Sequence, residues 1–175
     1  MSMTLLLGGA RSGKSDLSTR LAAASDRPVV VLATAEGRDE EMAERIRRHR
    51  EARLPTWTTI EEPLALASTV GAIGAEAFVV VDCLSLWVSN AMESGASEDE
   101  IVAEARAASA ALAGREPPSV VVSNEVGLGI VPVNELARRY RDVLGRVNVA
   151  FADAATDAYL VVAGRALPLG EPSLL

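Results

Sequence analysis

A short apolar run at residues 4–7 ends in Gly8-Gly9-Ala10-Arg11-Ser12-Gly13-Lys14-Ser15, and an Ala/Leu-rich stretch with helical spacing occupies residues 12–24. The loop satisfies G-x-x-x-x-G-K-[ST] after a strand and at the opening of a helix, the context that gives the pattern its meaning. Glycines let the backbone wrap around phosphate oxygens, while successive N–H groups and the helix N-terminus point at the anion. Lys14 then supplies charge for the outer phosphates, and the Ser15 hydroxyl supplies a magnesium ligand. The bland alternative is a glycine-rich turn that merely starts a helix. Lys14 is the only lysine in the chain, which counts against it.

The rest of the chain alternates strands with helices. Continuous apolar runs at Val29–Ala33, Phe78–Asp82 and residues 119–123 suit strands covered on both faces. Weaker strands are predicted at residues 57–60 and 159–163, the latter as the last strand. Helices are predicted at residues 39–53, 63–73, 86–92, Glu98–Ala113 and 134–155, with a possible break at Gly145. Residues 167–175 carry two prolines and no period, so they read as an irregular tail. Strands joined by helical crossovers predict an α/β fold of the P-loop NTPase type, a mostly parallel sheet with helices on both faces. With no linker, repeat or low-complexity segment, residues 1–175 read as a single domain.

The chain's 175 residues are 49% hydrophobic and 23% charged, the profile of an ordinary globular domain. No apolar run approaches the roughly twenty residues that span a bilayer, and nothing basic and hydrophobic at the start reads as a signal peptide, so secretion is not expected. Membrane insertion is not expected, and the cytoplasm is the default compartment. A formal net charge of −7 argues against a general nucleic-acid partner. One cysteine, Cys83, and one histidine, His49, exclude both an internal disulfide and a Cys/His zinc cluster.

In open α/β sheets ligands bind beyond the carboxyl ends of the strands. Phe78–Asp82 ends in an acid there, which makes Asp82 a candidate metal or nucleotide contact in a Walker B arrangement. Cys83 has no basic neighbour in sequence and reads as a buried, inert thiol.

The helix at 39–53 begins acidic and ends basic, and pairs Glu41 with Arg45 and Glu44 with Arg48 at i,i+4. Met42, Ile46 and His49 share one face. His49 capping an apolar stripe is the plain reading. The sharper one starts from Arg47, Arg48, Arg50 and Arg53, which surround it in sequence. Cationic neighbours favour a neutral, nucleophilic imidazole, able to attack an α-phosphate and form a nucleotidyl-histidine.

Several segments together resemble the bifunctional adenosylcobinamide kinase/adenosylcobinamide-phosphate guanylyltransferases of cobalamin biosynthesis. They are GGARSGKS, ATA at 33–35, DEEMAERIRRHR at 39–50, WTTIE at 57–61, DCLSLWVSN at 82–90, SNEVGLGIVP at 123–132, RRYRDVLGRVN at 138–148 and LVVAG at 160–164. The resemblance implies two reactions. A nucleoside triphosphate, ATP or GTP, phosphorylates adenosylcobinamide; GTP then donates GMP to adenosylcobinamide phosphate, giving adenosyl-GDP-cobinamide. It further implies guanylylation at His49, nucleotide contacts at residues 8–15, Thr34, Ala35, Glu36, Arg50, Arg53, Glu61 and Asp82, Mg2+ on Ser15 and Asp82, and a homotrimer. Glu125, at the tip of a strand, has no role derivable from sequence. The alternatives are a guanylyltransferase alone, a P-loop kinase with a structural His49, and a non-enzymatic nucleotide-binding module. Because His49 lies far in sequence from residues 8–15, its helix is expected to move when GTP binds.

Overall fold

The computed structural model describes residues 2–170. Seven strands, β1 (Met3–Leu7), β2 (Val29–Ala33), β3 (Thr58–Glu61), β4 (Phe78–Asp82), β5 (Ser119–Val122), β6 (Asp157–Val162) and β7 (Arg165–Leu169), alternate with six helices. The helices are α1 (Lys14–Ala23), α2 (Glu40–Glu51), α3 (Leu66–Ala72), α4 (Leu84–Glu93), α5 (Glu98–Ala113) and α6 (Glu135–Ala154). The strands form one sheet in the order β3-β2-β4-β5-β1-β6-β7, parallel except for the antiparallel β6–β7 pair. The carboxyl ends of β1, β2, β4 and β5 therefore lie along one edge of the sheet.

Strand side chains alternate between two cores. Leu5, Leu7, Val79, Val81 and Val121 face the larger core, with residues from α3 to α6 including the buried Trp87 and Phe151. Leu6, Val31, Phe78, Val80 and Val120 face the smaller one, where Ala22 of α1 joins them. This two-sided burial is why the central strands read as unbroken valine runs instead of alternating patterns.

Three sequence expectations change. Residues 165–169 form β7 instead of an irregular tail, pairing Tyr159 with Pro168 and Val162 with Arg165. Ala163 (φ 50°) and Gly164 (φ 72°) supply the two left-handed residues of a tight hairpin turn. Pro168 is tolerated because β7 is an edge strand. The tail residues 171–175 lie outside the described residues. Helix α3 starts at Leu66, later than Pro63, because the Glu62 carboxylate accepts hydrogen bonds from the N–H groups of Leu64 and Ala65, both at 2.8 Å. Gly145 does not break α6, whose buried Val143, Leu144, Val147 and Phe151 hold it as one helix.

Candidate active site

The loop between β1 and α1 is braced on its outer side by the β6–β7 hairpin. Gly164 N–H donates to the Ser12 carbonyl at 2.8 Å. A Cβ on Gly8 (φ 153°) would sit 2.3 Å from the Val161 carbonyl oxygen, and one on Gly13 (φ 102°) would sit 3.0 Å from Gly164 Cα. Those two positions require glycine. Gly13 caps α1 with no side-chain hydrogen bond, which leaves first-turn amides free to receive an anion. Lys14 is buried and folded back, its Nζ donating to the Gly8 carbonyl at 2.8 Å and the Gly9 carbonyl at 2.7 Å. Burial pushes the ammonium down from its ordinary value.

Ser15, His49, Arg53 and Asp82 line one small cavity of about 110 Å3, between α1 and the C-terminal end of α2 above the sheet. His49 Nδ1 lies 3.5 Å from Asp82 Oδ2, and Arg53 Nη2 lies 3.7 Å from the same oxygen. The Arg53 side chain is only 14% exposed, and its Nη1 donates to Thr59 Oγ1 at 3.1 Å. Burial lowers its affinity for the proton and Asp82 opposes that, so it stays charged.

The arginine cluster of the sequence divides in space. Arg47 pairs with Glu44 and Glu51, Arg48 with Glu44, and Arg50 with Glu61. Arg53 alone of the four lines the cavity, and the Asp82 carboxylate stands beside the His49 ring. The purely cationic setting expected around His49 is therefore corrected, because helical geometry spreads four close neighbours over different faces. Met42, Ile46 and His49 do share the half-buried face, and Glu44–Arg48 forms at 3.2 Å.

Thr34 is fully buried and all its polar groups are committed. Its N–H donates to the Asp82 carbonyl, its carbonyl accepts from Asn90 Nδ2 at 2.7 Å, and its hydroxyl bridges the Cys83 backbone at 2.7 and 3.0 Å. Its place is to fix the turn after Asp82. Ala35 is half-buried and Glu36 exposed beside it, and Glu36 pairs with Arg38, which also reaches Glu93 of α4. Ala10 and Arg11 stand exposed on the loop. Burial pushes the Cys83 thiol up, with Asp82 adding to the effect, in keeping with an inert thiol.

Sequence reasoning missed two supports. Asn148 of α6 accepts from Ser123 Oγ at 2.6 Å and donates to the Asn124 carbonyl at 3.1 Å, fixing the tip of β5. Tyr140 donates to the Ser85 carbonyl at 3.0 Å, and its burial raises the phenol to about 12. A polar residue on the buried stripe of a long helix was the one signal that could have found Asn148.

Ser15 and Asp82 offer two hard oxygen donors facing one cavity. No group of three or more His, Cys, Asp or Glu side chains among the described residues could hold a metal alone. That donor set fits Mg2+, which binds through one or two protein oxygens and completes its shell with water and phosphate.

With this geometry in view, the model of the family "Cobinamide kinase / cobinamide phosphate guanyltransferase" matches residues 4–169. The chain belongs to that family. It is 45% identical to the "Bifunctional adenosylcobalamin biosynthesis protein CobP" of Pseudomonas aeruginosa PAO1, covering 96% of this chain and 98% of that protein. It is 38% identical to the corresponding CobU protein of Escherichia coli K12, covering 93% and 96%. Among solved structures the RadB recombinase shares the fold, with a TM-score of 0.51 at 15% identity over 91% of this chain and 73% of that one. The family is bifunctional, joining a kinase and a guanylyltransferase. No helix among the described residues is long and apolar enough to cross a membrane.

Proposed function

We propose that this enzyme phosphorylates adenosylcobinamide with ATP or GTP and then transfers GMP from GTP, through a guanylyl-histidine at His49, to adenosylcobinamide phosphate. The observation that carries the reading is the meeting of the only histidine, Arg53, Asp82 and the P-loop serine around one cavity.

Residues 8–15 cradle the triphosphate for both transfers, and Lys14 exchanges its two loop carbonyls for phosphate oxygens. Ala35, Glu36, Arg50, Arg53, Glu61 and Asp82 complete the nucleotide contacts, and Thr34 acts by positioning the turn. Ser15 and Asp82 would hold Mg2+, which supplies neutralisation of phosphate charge. In the first reaction the acceptor hydroxyl oxygen bonds to the γ-phosphorus and the nucleoside diphosphate leaves. In the second, a His49 ring nitrogen attacks the α-phosphorus of GTP and pyrophosphate leaves. An oxygen of adenosylcobinamide phosphate then displaces the imidazole and takes GMP. Asp82, beside Nδ1, is suited to orient the ring so that Nε2 presents its lone pair.

A product assay tests this. Wild-type protein given magnesium, GTP and adenosylcobinamide should yield adenosyl-GDP-cobinamide, whereas His49→Ala should stop at adenosylcobinamide phosphate. GDP-cobinamide formed by the histidine variant at the wild-type rate would reject the covalent route. The homotrimer implied by the resemblance belongs to the same reading, and light scattering in solution measures it.

A further inference from the structure

The loop after β5 takes no part in the nucleotide contacts assigned to the two transfers. Strand order sets β5 between β4, which bears Asp82, and β1, which bears the phosphate loop. At the β5 tip, Glu125 N–H donates to the Gly8 carbonyl at 3.1 Å, the same oxygen that Lys14 Nζ holds at 2.8 Å. The Glu125 backbone and the Lys14 side chain therefore meet on one carbonyl oxygen of the glycine-rich loop. Its Oε1 accepts from Gly127 N–H within its own turn. The carboxylate at the tip of the neighbouring β4, Asp82, is engaged by His49 and Arg53 on the α2 side.

Residues 126–133 are unusually apolar for a surface loop. Leu128, Ile130, Val131 and Val133 project outward, Ile130 and Val133 at 97% and 98% exposure. The loop runs on to Asn134, the N-cap of α6, where a cavity of about 290 Å3 opens between α4 and α6 and is lined by Met92, Leu136 and Tyr140 among others. Contiguous exposed apolar surface of this kind marks a binding surface. Its start at the phosphate loop and its continuity with a cavity lined by both apolar and polar side chains favour a ligand whose reacting end lies at the phosphates and whose bulk is broad, with apolar groups set among polar ones. A corrinoid alcohol has that form, a macrocycle whose methyl groups stand between carboxamide arms, with its hydroxyl on a flexible arm.

We propose that Glu125 and residues 126–136 form the acceptor side of the site: Glu125 receives the acceptor's hydroxyl proton, and the loop seats the corrinoid body. This rests on the kinase reading above. As the hydroxyl oxygen bonds to the γ-phosphorus and the bond to the β–γ bridging oxygen breaks, the proton passes to the Glu125 carboxylate and then to solvent. General-base assistance of this kind contributes about 10²–10⁴-fold. The two nucleophiles then work from different sides of one triphosphate, the hydroxyl from the β5 side and His49 from α2.

The test uses the full-length protein and separates the steps. Glu125→Gln should lower the kcat of adenosylcobinamide phosphorylation about 100-fold or more, with little change in the KM for the triphosphate. The yield of guanylyl-enzyme from GTP should stay within about twofold, and Glu125→Asp should recover part of the kinase rate. Phosphorylation within about threefold of wild type, or equal losses in kinase rate and guanylyl-enzyme, would overturn the role of Glu125. Ile130→Ser with Val133→Ser should raise the KM for adenosylcobinamide about tenfold or more, with kcat and oligomeric state unchanged. An unchanged KM, or dissociation into monomers, would overturn the corrinoid seat and make the loop a subunit interface in the second case. A wild-type protein unable to phosphorylate adenosylcobinamide would instead reject the functional reading on which the inference stands.

Discussion

Helices α1 and α2 border the same cavity and are held in opposite ways. Helix α1 starts from a loop fixed by backbone contacts to the β6–β7 hairpin, and it buries Lys14, Ser18 and Ala22. Helix α2 buries no residue at all. It is tethered through side chains, by His49 and Arg53 on Asp82, Arg53 on Thr59 and Arg50 on Glu61. The exposed Arg50–Glu61 pair contributes about 1 kcal/mol or less, and with no residue of α2 buried in either core the helix can open without the domain unfolding. On the proposed function, the part assigned to phosphate is held firmly and the part assigned the nucleophile is held loosely. This is the physical basis for expecting α2 to shift between nucleotide-free and GTP-bound states.

The largest effect should come from the rigid half. On the proposed function Lys14→Ala removes the main side-chain partner of the phosphate charge, so both phosphoryl transfer and guanylyl-enzyme formation should fall about 10³-fold, read by initial rates. Loss of only one activity would mean that the two reactions do not share the loop. Next is Gly8→Ala, whose new Cβ meets the Val161 carbonyl at 2.3 Å. A destabilisation of about 3 kcal/mol is expected in urea unfolding. Gly9→Ala, with nothing within 4 Å of its Cβ, should cost far less. Equal effects at the two glycines would break the claim of a braced loop. Smallest is Glu61→Gln, which loosens an exposed tether of α2. Global stability should change by less than about 1 kcal/mol, while amide exchange along α2 should speed up and that of α1 should not.

The sequence was most readable where one residue type has one physical use. Valine runs located β2, β4 and β5 because parallel strands here are covered on both faces. The phosphate loop was visible because φ above zero and close backbone approach demand glycine at Gly8 and Gly13. Reading failed where tertiary context decides. Strand β7 hides behind Pro168 and an Ala-Gly turn, neither a strong hairpin signal without its partner strand. Clustering in sequence suggested four arginines around His49, whereas side-chain direction turns only Arg53 into the cavity. Thr34 lies at a strand tip among candidate contacts, yet its hydroxyl serves Cys83, a partner 49 residues away.

The central claim is that His49 carries GMP, and its most direct measurement is labelling with GTP marked at the α-phosphate. Protein incubated with labelled GTP and magnesium, then precipitated and digested, should carry acid-labile, alkali-stable label on the peptide containing His49, and none in His49→Ala. Absence of label in the wild type, or undiminished label in the variant, would contradict the account.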